Sequence, residues 1–244
     1  MPLTLATTTP GEPEIFASLQ GEGPSAGTPV AFVRLSRCNL ACVWCDTPYT
    51  WHFTGDDRPH RSAPTFERQP NQITLEPAEV AARIAALGQR RLVVTGGEPL
   101  LQATELAEML ELLPDMVLEI ETNGTVRPPA RLDIRVDQYN VSPKLAHSGN
   151  PPALALRAAM LEHWAVEPRA TLKFVIATPD DVEEVRELAA QHAIPPQKIM
   201  LMPEGTDSAT LRERMVWLAP LALEHGYRLS DRLHIHLYGD TRGT

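Results

Sequence analysis

From Arg91 onward, short apolar and β-branched runs take turns with amphipathic segments, and this alternation restricts the fold more than any other feature of the 244-residue chain. Residues 91–95, 116–122, 134–141, 171–178, 199–202 and 233–238 read as strands. Residues 102–113, 153–164, 180–192 and 209–225 read as helices between them, the third opening on acids that suit its dipole. Upstream, 29–37 reads as a buried strand and 76–87 as a helix, with Pro77 in its first turn and Gly88 as its stop. Strands separated by helices need crossover connections, which build a parallel sheet covered by helices. The expectation is an α/β fold with about six or seven strands, mostly parallel. Only Arg127-Pro128-Pro129 offers a connection between the strands at 116 and 134, so a full eight-fold barrel is not expected. No linker divides the chain, so 1–244 reads as one domain, with the polar, proline-rich stretch 56–71 as a surface insertion.

All three cysteines, Cys38, Cys42 and Cys45, fall within eight residues. An odd, clustered set cannot form an internal disulfide framework; it suits one metal centre in a reducing, cytoplasmic setting. Hydrophobic residues make up 43%, ordinary for a globular chain, so wholesale disorder is not expected. Acidic residues outnumber basic ones 31 to 22, for a net charge of −9, which argues against a nucleic-acid partner. Aromatic content of 5% offers no base-stacking platform. No apolar run approaches the roughly 18 residues of a membrane span, and no basic leader is seen at the start, so neither a membrane nor a signal peptide is expected.

The cysteines form a Cys-x3-Cys-x2-Cys loop directly after the 29–37 strand. Three thiolates there can hold three irons of a [4Fe–4S] cluster and leave the fourth open to a small molecule. A zinc site completed by His52 or His60 is the alternative. Thr95-Gly96-Gly97-Glu98-Pro99 follows the next strand. Its glycines admit close backbone approach to a ligand, and Glu98 could accept from an amine; by itself the motif is only a turn. Arg34 lies four residues before Cys38. A strand arginine there could grip a carboxylate bidentately, or pair with Glu98 or Asp46.

Cysteine loop and glycine turn together resemble the radical S-adenosylmethionine superfamily. Further stretches narrow the likeness: Ser18-Leu19-Gln20-Gly21-Glu22-Gly23, Asp46-Thr47-Pro48-Tyr49 after Cys45, Glu121-Thr122-Asn123-Gly124, Ser142-Pro143-Lys144 and Leu201-Met202-Pro203-Glu204-Gly205-Thr206. From about residue 15 to 243 the chain resembles the 7-carboxy-7-deazaguanine synthase family. That resemblance implies a partial (β/α)6-type barrel. It implies ring contraction of 6-carboxy-5,6,7,8-tetrahydropterin to 7-carboxy-7-deazaguanine with loss of ammonia, on the way to queuosine. A hydrogen is abstracted and later returned, so S-adenosylmethionine is reused. The reaction itself is cofactor radical chemistry, with no side chain as the catalytic group. Cys38, Cys42 and Cys45 would hold the [4Fe–4S] cluster and Thr47 a Mg²⁺, unless Thr47 only caps its turn. Trp44, Cys45, Asp46, Gly96, Gly97, Glu98, Asn123, Ser142, Pro143 and Lys144 would meet S-adenosylmethionine. Leu19, Gln20, Gly21, Arg34 and Thr95 would meet the pterin. A flavodoxin- or ferredoxin-type electron donor and a homodimer are implied as partners.

Three rivals differ in what they demand. A glycyl-radical-enzyme activase shares the cysteine spacing but not the stretches around Gln20, Thr47 and Lys144. An iron–sulfur electron carrier would close its cluster with a fourth thiolate. A tRNA-modifying radical enzyme would want basic surface. His234 and His236 would share a face of the final strand, in a structural role. Met215 and Trp217 read as core or dimer surface, and the acids from Asp180 to Glu184 as a solvated helix start.

Overall fold

The computed structural model describes residues 1–61 and 64–244. The expected insertion at 56–71 therefore includes two residues, Ser62 and Ala63, outside the described part.

The chain opens with antiparallel strands that the apolar periodicity did not single out: β1 (Leu3–Thr9), β2 (Glu12–Pro13) and β3 (Ile15–Leu19). β4 (Pro29–Leu35) carries the parallel sheet's first apolar run. Helix α1 (Arg68–Asn71) and β5 (Gln72–Leu75) lead to α2 (Pro77–Ala86). Alternation follows: β6 (Arg91–Gly96), α3 (Ala103–Glu111), β7 (Val117–Thr122), α4 (Ala130–Asp133), β8 (Gln138–Val141), α5 (Pro152–Ala155), α6 (Ala158–Val166), β9 (Ala170–Ile176), α7 (Pro179–Gln191), β10 (Ile199–Pro203), α8 (Ser208–His225), β11 (Arg228–Leu229) and α9 (Leu233–Tyr238).

Eleven strands form one sheet in the order β11-β10-β9-β8-β7-β6-β4-β1-β2, with β3 also on β4 and β5 on β1. Every pairing from β4 to β11 is parallel. β1 and β3 share β4's other edge antiparallel, β3 along Pro29 to Val33 and β1 at Leu35. The path ends at β11 and β2, so strand pairing does not close the sheet. Instead the turn after β3 meets the segment after β11. Gly23 N–H donates to Ser230 Oγ at 3.0 Å, and Leu233 N–H to the Gly21 carbonyl at 2.9 Å.

The two-residue period sorts each strand's side chains between the faces. Ala31, Val33, Leu35, Leu92, Val94, Leu118, Ile120, Tyr139, Val141, Leu172, Phe174, Ile176, Ile199 and Leu201 enter the main core. There they meet Val80 and Ile84 of α2, Leu106 and Leu110 of α3, Leu161 and Trp164 of α6, Val182 and Val185 of α7, and Leu218 and Ala222 of α8. Each Val, Leu, Ile or Phe among them contributes about 1.5–3 kcal/mol on burial. The alternate residues face inward, and several are charged: Arg34, Glu119, Glu121 and Lys173. α7 shows how a helix start is written locally. Pro179 sits in its first turn, and Thr178 and Asp181 form a reciprocal capping box.

Several expectations are corrected. Residues 233–238 form helix α9, not a final strand. His-Ile-His-Leu-Tyr alternates like a strand, but β10's edge is already paired with β11, and bonds at Arg232 and Leu233 start a helical turn instead. The expected helix 153–164 is two pieces, broken at Leu156 and Arg157, whose Nη1 reaches the Thr125 carbonyl at 3.0 Å. The segment at 134 begins as the end of α4; the strand proper is Gln138–Val141. Among the described residues the strand count is eleven, not six or seven, because β1, β2, β3, β5 and β11 are short or polar. Among the described residues, no helix is long and apolar enough to cross a membrane.

Candidate active site

The inward side chains of the parallel strands and the loops at their C-terminal ends enclose a cavity of about 420 Å³. This lies within the usual range of small-molecule sites, roughly 300–1,000 Å³, and at the sheet edge where such sites form. Arg34 comes from β4, Thr95 from β6, Glu121 from β7, Asn140 from β8, Lys173 and Val175 from β9, and Met202 from β10.

Cys38, Cys42 and Cys45 all line this cavity. Their loop leaves β4 through Arg37, whose φ of 78° is left-handed without glycine's freedom. Leu40, Cys42 and Ala155 make a small apolar cluster that seats the loop, joined by Trp44 and Leu156. Donors reach the sulfurs: Leu40 N–H to Cys38 Sγ at 3.4 Å and Asn150 Nδ2 to Cys42 Sγ at 3.3 Å. Thr47 Oγ1 lies 3.6 Å from Cys45 Sγ. Burial pushes the Cys38 thiol up to about 12 and Cys45 to about 11, and raises Cys42 as well. Uncharged thiols are thus the metal-free state, and positive irons would be needed to draw out the thiolates. Among the described residues, no three His, Cys, Asp or Glu side chains converge on a single-ion site. A [4Fe–4S] cube asks for something else, one thiolate per iron. Three partly shielded sulfurs with their own donors, on one cavity, fit that group.

The Gly-Gly turn is wedged against the cysteine loop. A Cβ on Gly96 would stand 2.1 Å from the Leu35 carbonyl oxygen, and one on Gly97 2.2 Å from that of Arg37. Glu98 N–H donates to the Arg37 carbonyl at 2.9 Å. The Glu98 carboxylate is fully buried and does not line the cavity. It accepts from Leu100 N–H at 2.9 Å, Thr122 Oγ1 at 2.8 Å and Asn123 N–H at 2.7 Å, clamping the ends of β6 and β7 together. Burial raises its pKa despite these donors. Pro143 likewise lies outside the cavity lining. Trp44, Asp46, Asn123, Ser142 and Lys144 do line it. Trp44 stacks on His147 with ring centres 5.3 Å apart, while Lys144 Nζ folds back onto Ser142 Oγ at 2.7 Å. Asn123 Nδ2 holds Asn39 Oδ1 at 2.9 Å.

Leu19, Gln20, Gly21, Arg34 and Thr95 also line the cavity. Gln20 Nε2 donates to Glu119 at 2.7 Å and Glu121 at 3.1 Å. Thr95 Oγ1 donates to Glu121 at 2.7 Å. Gly21 has no room for a side chain, because a Cβ would meet His234 Nδ1 at 2.1 Å. Arg34 pairs with neither Glu98 nor Asp46. Its Nε bonds Glu14 at 2.7 Å, and its terminal nitrogens have no partner among the described residues. Thr47 lines the cavity and heads the short turn Pro48–Thr50 without a side-chain capping bond, so its hydroxyl is not committed to a cap.

A buried ionic network escaped the sequence reading. Glu22 pairs with Lys173 and, at 2.9 Å, with Arg232, which also binds Asp46. Burial would raise the Glu22 carboxyl, but Lys173, Arg232 and His234 outweigh it and hold it well below its usual value. Burial lowers the His234 pKa. Only the charge of Lys173 inside an apolar strand run could have flagged part of this network. His236 turns away from it, bonding Ser208 Oγ at 2.9 Å and Asp231 at 3.1 Å. Within the 56–71 stretch, His60 Nε2 bonds the Cys45 carbonyl at 2.8 Å and Arg61 N–H the Val43 carbonyl at 2.7 Å.

Residues 33–212 match the Radical SAM superfamily, so fold and site together define a radical S-adenosylmethionine enzyme. The 7-carboxy-7-deazaguanine synthase of Pyrobaculum aerophilum is 38% identical over 237 residues, spanning 94% of this chain and 95% of its own. That of Halobacterium salinarum is 35% identical over 256 residues, spanning 95% and 91%. The crystal structure of QueE from Escherichia coli is similar with a TM-score of 0.66 and 26% identity, covering 95% of both chains. The chain belongs to the 7-carboxy-7-deazaguanine synthase family.

Proposed function

We propose that this chain converts 6-carboxy-5,6,7,8-tetrahydropterin to 7-carboxy-7-deazaguanine, with loss of ammonia, for the 7-deazapurine route to queuosine. The observation that carries this reading is one cavity lined by the three cysteines and also by Gln20, Arg34 and Thr95. Cys38, Cys42 and Cys45 would hold the [4Fe–4S] cluster. When bound, cluster and S-adenosylmethionine supply a hydrogen-abstracting radical that is regenerated each turnover. The chain's own residues bind, orient and enclose. Arg34 is anchored by Glu14 through Nε, which leaves two terminal nitrogens for a bidentate grip on the pterin carboxylate. Gln20 and Thr95 are braced by Glu121, which fixes their rotamers before substrate arrives. Gly96 and Gly97 would hold the methionine end of the cofactor beside the cysteine loop, and Trp44, Asp46, Asn123, Ser142 and Lys144 would line its seat. Glu98 serves by clamping that turn from behind.

Thr47 would offer Mg²⁺ a weak oxygen ligand through its hydroxyl, a donor type this hard cation prefers. The remaining expectations belong to the same reading: a flavodoxin- or ferredoxin-type donor, a homodimer and a cytoplasmic setting. The test is anaerobic. Reconstituted protein is mixed with a chemical reductant, S-adenosylmethionine, Mg²⁺ and carboxytetrahydropterin. Mass spectrometry is expected to find the deazaguanine, with little 5′-deoxyadenosine. No product from protein carrying a full cluster would refute the reading.

A further inference from the structure

The guanidinium of Arg232 touches three segments that are far apart in sequence. Nε bonds Glu22 at 2.9 Å, on the turn after β3. Nη1 bonds the Gly205 carbonyl at 2.6 Å, on the loop after β10. Nη2 bonds Asp46, one residue past the last cysteine. The residue is only 7% exposed, and the next amide, Leu233 N–H, ties back to Gly21 in the same turn as Glu22. Glu22 offers its other oxygen to Lys173, so the turn is held from two sides. Gln20 and Gly21 stand on the proposed pterin side of this tie, and Cys45, Asp46 and Thr47 on the cofactor side. A guanidinium is a flat, rigid fork, so a shift of one carboxylate partner is passed to the others.

We propose that Arg232 is a positioning residue: it couples the pterin-binding turn to the cluster loop, so that cofactor cleavage is committed to turnover. This rests on the proposed function. Uncoupled cleavage has a defined stoichiometry. One S-adenosylmethionine, two electrons from the external reductant and one proton give methionine and 5′-deoxyadenosine. The first electron breaks the carbon–sulfur bond; the second, with the proton, completes the C–H bond that substrate would otherwise have supplied.

The experiment compares wild type with Arg232→Lys, which keeps the charge but cannot span three acceptors, and with Arg214→Lys. Arg214 is a control, being tied to Glu204 outside the cavity lining. In Arg232→Lys, kcat for the deazaguanine is expected to fall about 100-fold, as for a reacting centre displaced by an ångström or so. KM for S-adenosylmethionine should change little, and 5′-deoxyadenosine per product should rise well above wild type. Hydrogen exchange on the cluster-free chains gives a second readout: amides of residues 20–23 should exchange faster in Arg232→Lys and also in Asp46→Ala, which removes the acceptor at the tie's other end. Arg214→Lys should move neither measurement. A wild-type ratio of 5′-deoxyadenosine to product in Arg232→Lys would overturn the coupling, as would unchanged exchange at 20–23 in both variants. Failure of the parent reading looks different, since wild type itself would then make no product.

Discussion

Gly97→Ala tests the packing of the glycine turn against the cysteine loop. Its added Cβ would lie 2.2 Å from the Arg37 carbonyl oxygen, 2.7 Å from that carbonyl carbon and 2.9 Å from Cys38 Cβ. Contacts under 3.0 Å are essentially never seen, so turn and loop must part by at least 3.0 − 2.2 = 0.8 Å. The atoms met first are backbone, which cannot swing aside. Overpacking of this kind costs about 1–3 kcal/mol. The same movement strains the Gly97 and Glu98 amide bonds to Leu35 and Arg37, at 3.1 and 2.9 Å; each is worth about 0.5–1.5 kcal/mol. The sum is about 2–6 kcal/mol. At roughly 2–4 °C per kcal/mol for a chain of this size, Tm should fall by about 4–24 °C. Because Cys38 is carried on the displaced loop, iron per chain after reconstitution should fall too. Calorimetry and iron analysis check both. A Tm within 2 °C of wild type, about half the smallest expected shift, together with full iron loading would refute the packing account.

Cys42→Ala removes one buried sulfur at a cost of about 1 kcal/mol, so circular dichroism should stay native while cluster iron and sulfide are lost; wild-type iron content would contradict the ligand assignment. Thr47→Ala should raise the Mg²⁺ concentration for half-maximal activity roughly 10-fold with little change in S-adenosylmethionine affinity, and an unchanged Mg²⁺ titration would remove Thr47 from the metal site. Glu167→Gln probes pH. Hydrogen bonds from Arg169 hold the Glu167 carboxyl at about 2, below its ordinary 4.5. A depressed folded pKa means stability present above 4.5 and lost as pH falls toward 2. The Tm gap between wild type and variant should therefore be widest near neutrality, shrink through that window and vanish below it; a gap that widens in acid would show the sign to be wrong.

How much could be read in advance depended on whether the signal was local. The parallel strands other than β11 were legible because their apolar residues recur over four to seven positions, enough to mark a buried sheet. α7 was legible because its acids and proline write its start. β1 and β5 were not, since Thr4, Thr7, Gln72 and Thr74 make them partly polar, and pairing decides them: β5 on β1, and β1 on β2, β4 and β5. α9 was misread because alternation in His234-Ile235-His236 is a strand signal only where an edge is free to accept it. At the site, the cysteine loop, glycine turn and Arg34 were visible as residue types out of place. Arg34's partner was not, because Glu14 is twenty residues upstream and reaches it only through the antiparallel pairing of β3 with β4.

Sequence by itself determined the chemistry on offer: three thiols with no fourth, two glycines where a side chain has no room, and an α/β chain that must carry them at strand ends. These follow from spacing and period, which are properties of neighbouring residues. Tertiary structure alone decided which charges share the cavity and which side chains turn away from it. Glu98 faces away from the cavity, because two donors from the end of β7 and one from Leu100, two residues on, converge behind it. Arg232 and Glu22, 210 positions apart, became one ion pair because the sheet is left open and two turns meet across the gap. Burial is the reason such pairs escape a linear reading: a charge can stay in a cavity wall only beside its counter-charge, and the fold, not the neighbour in sequence, supplies it.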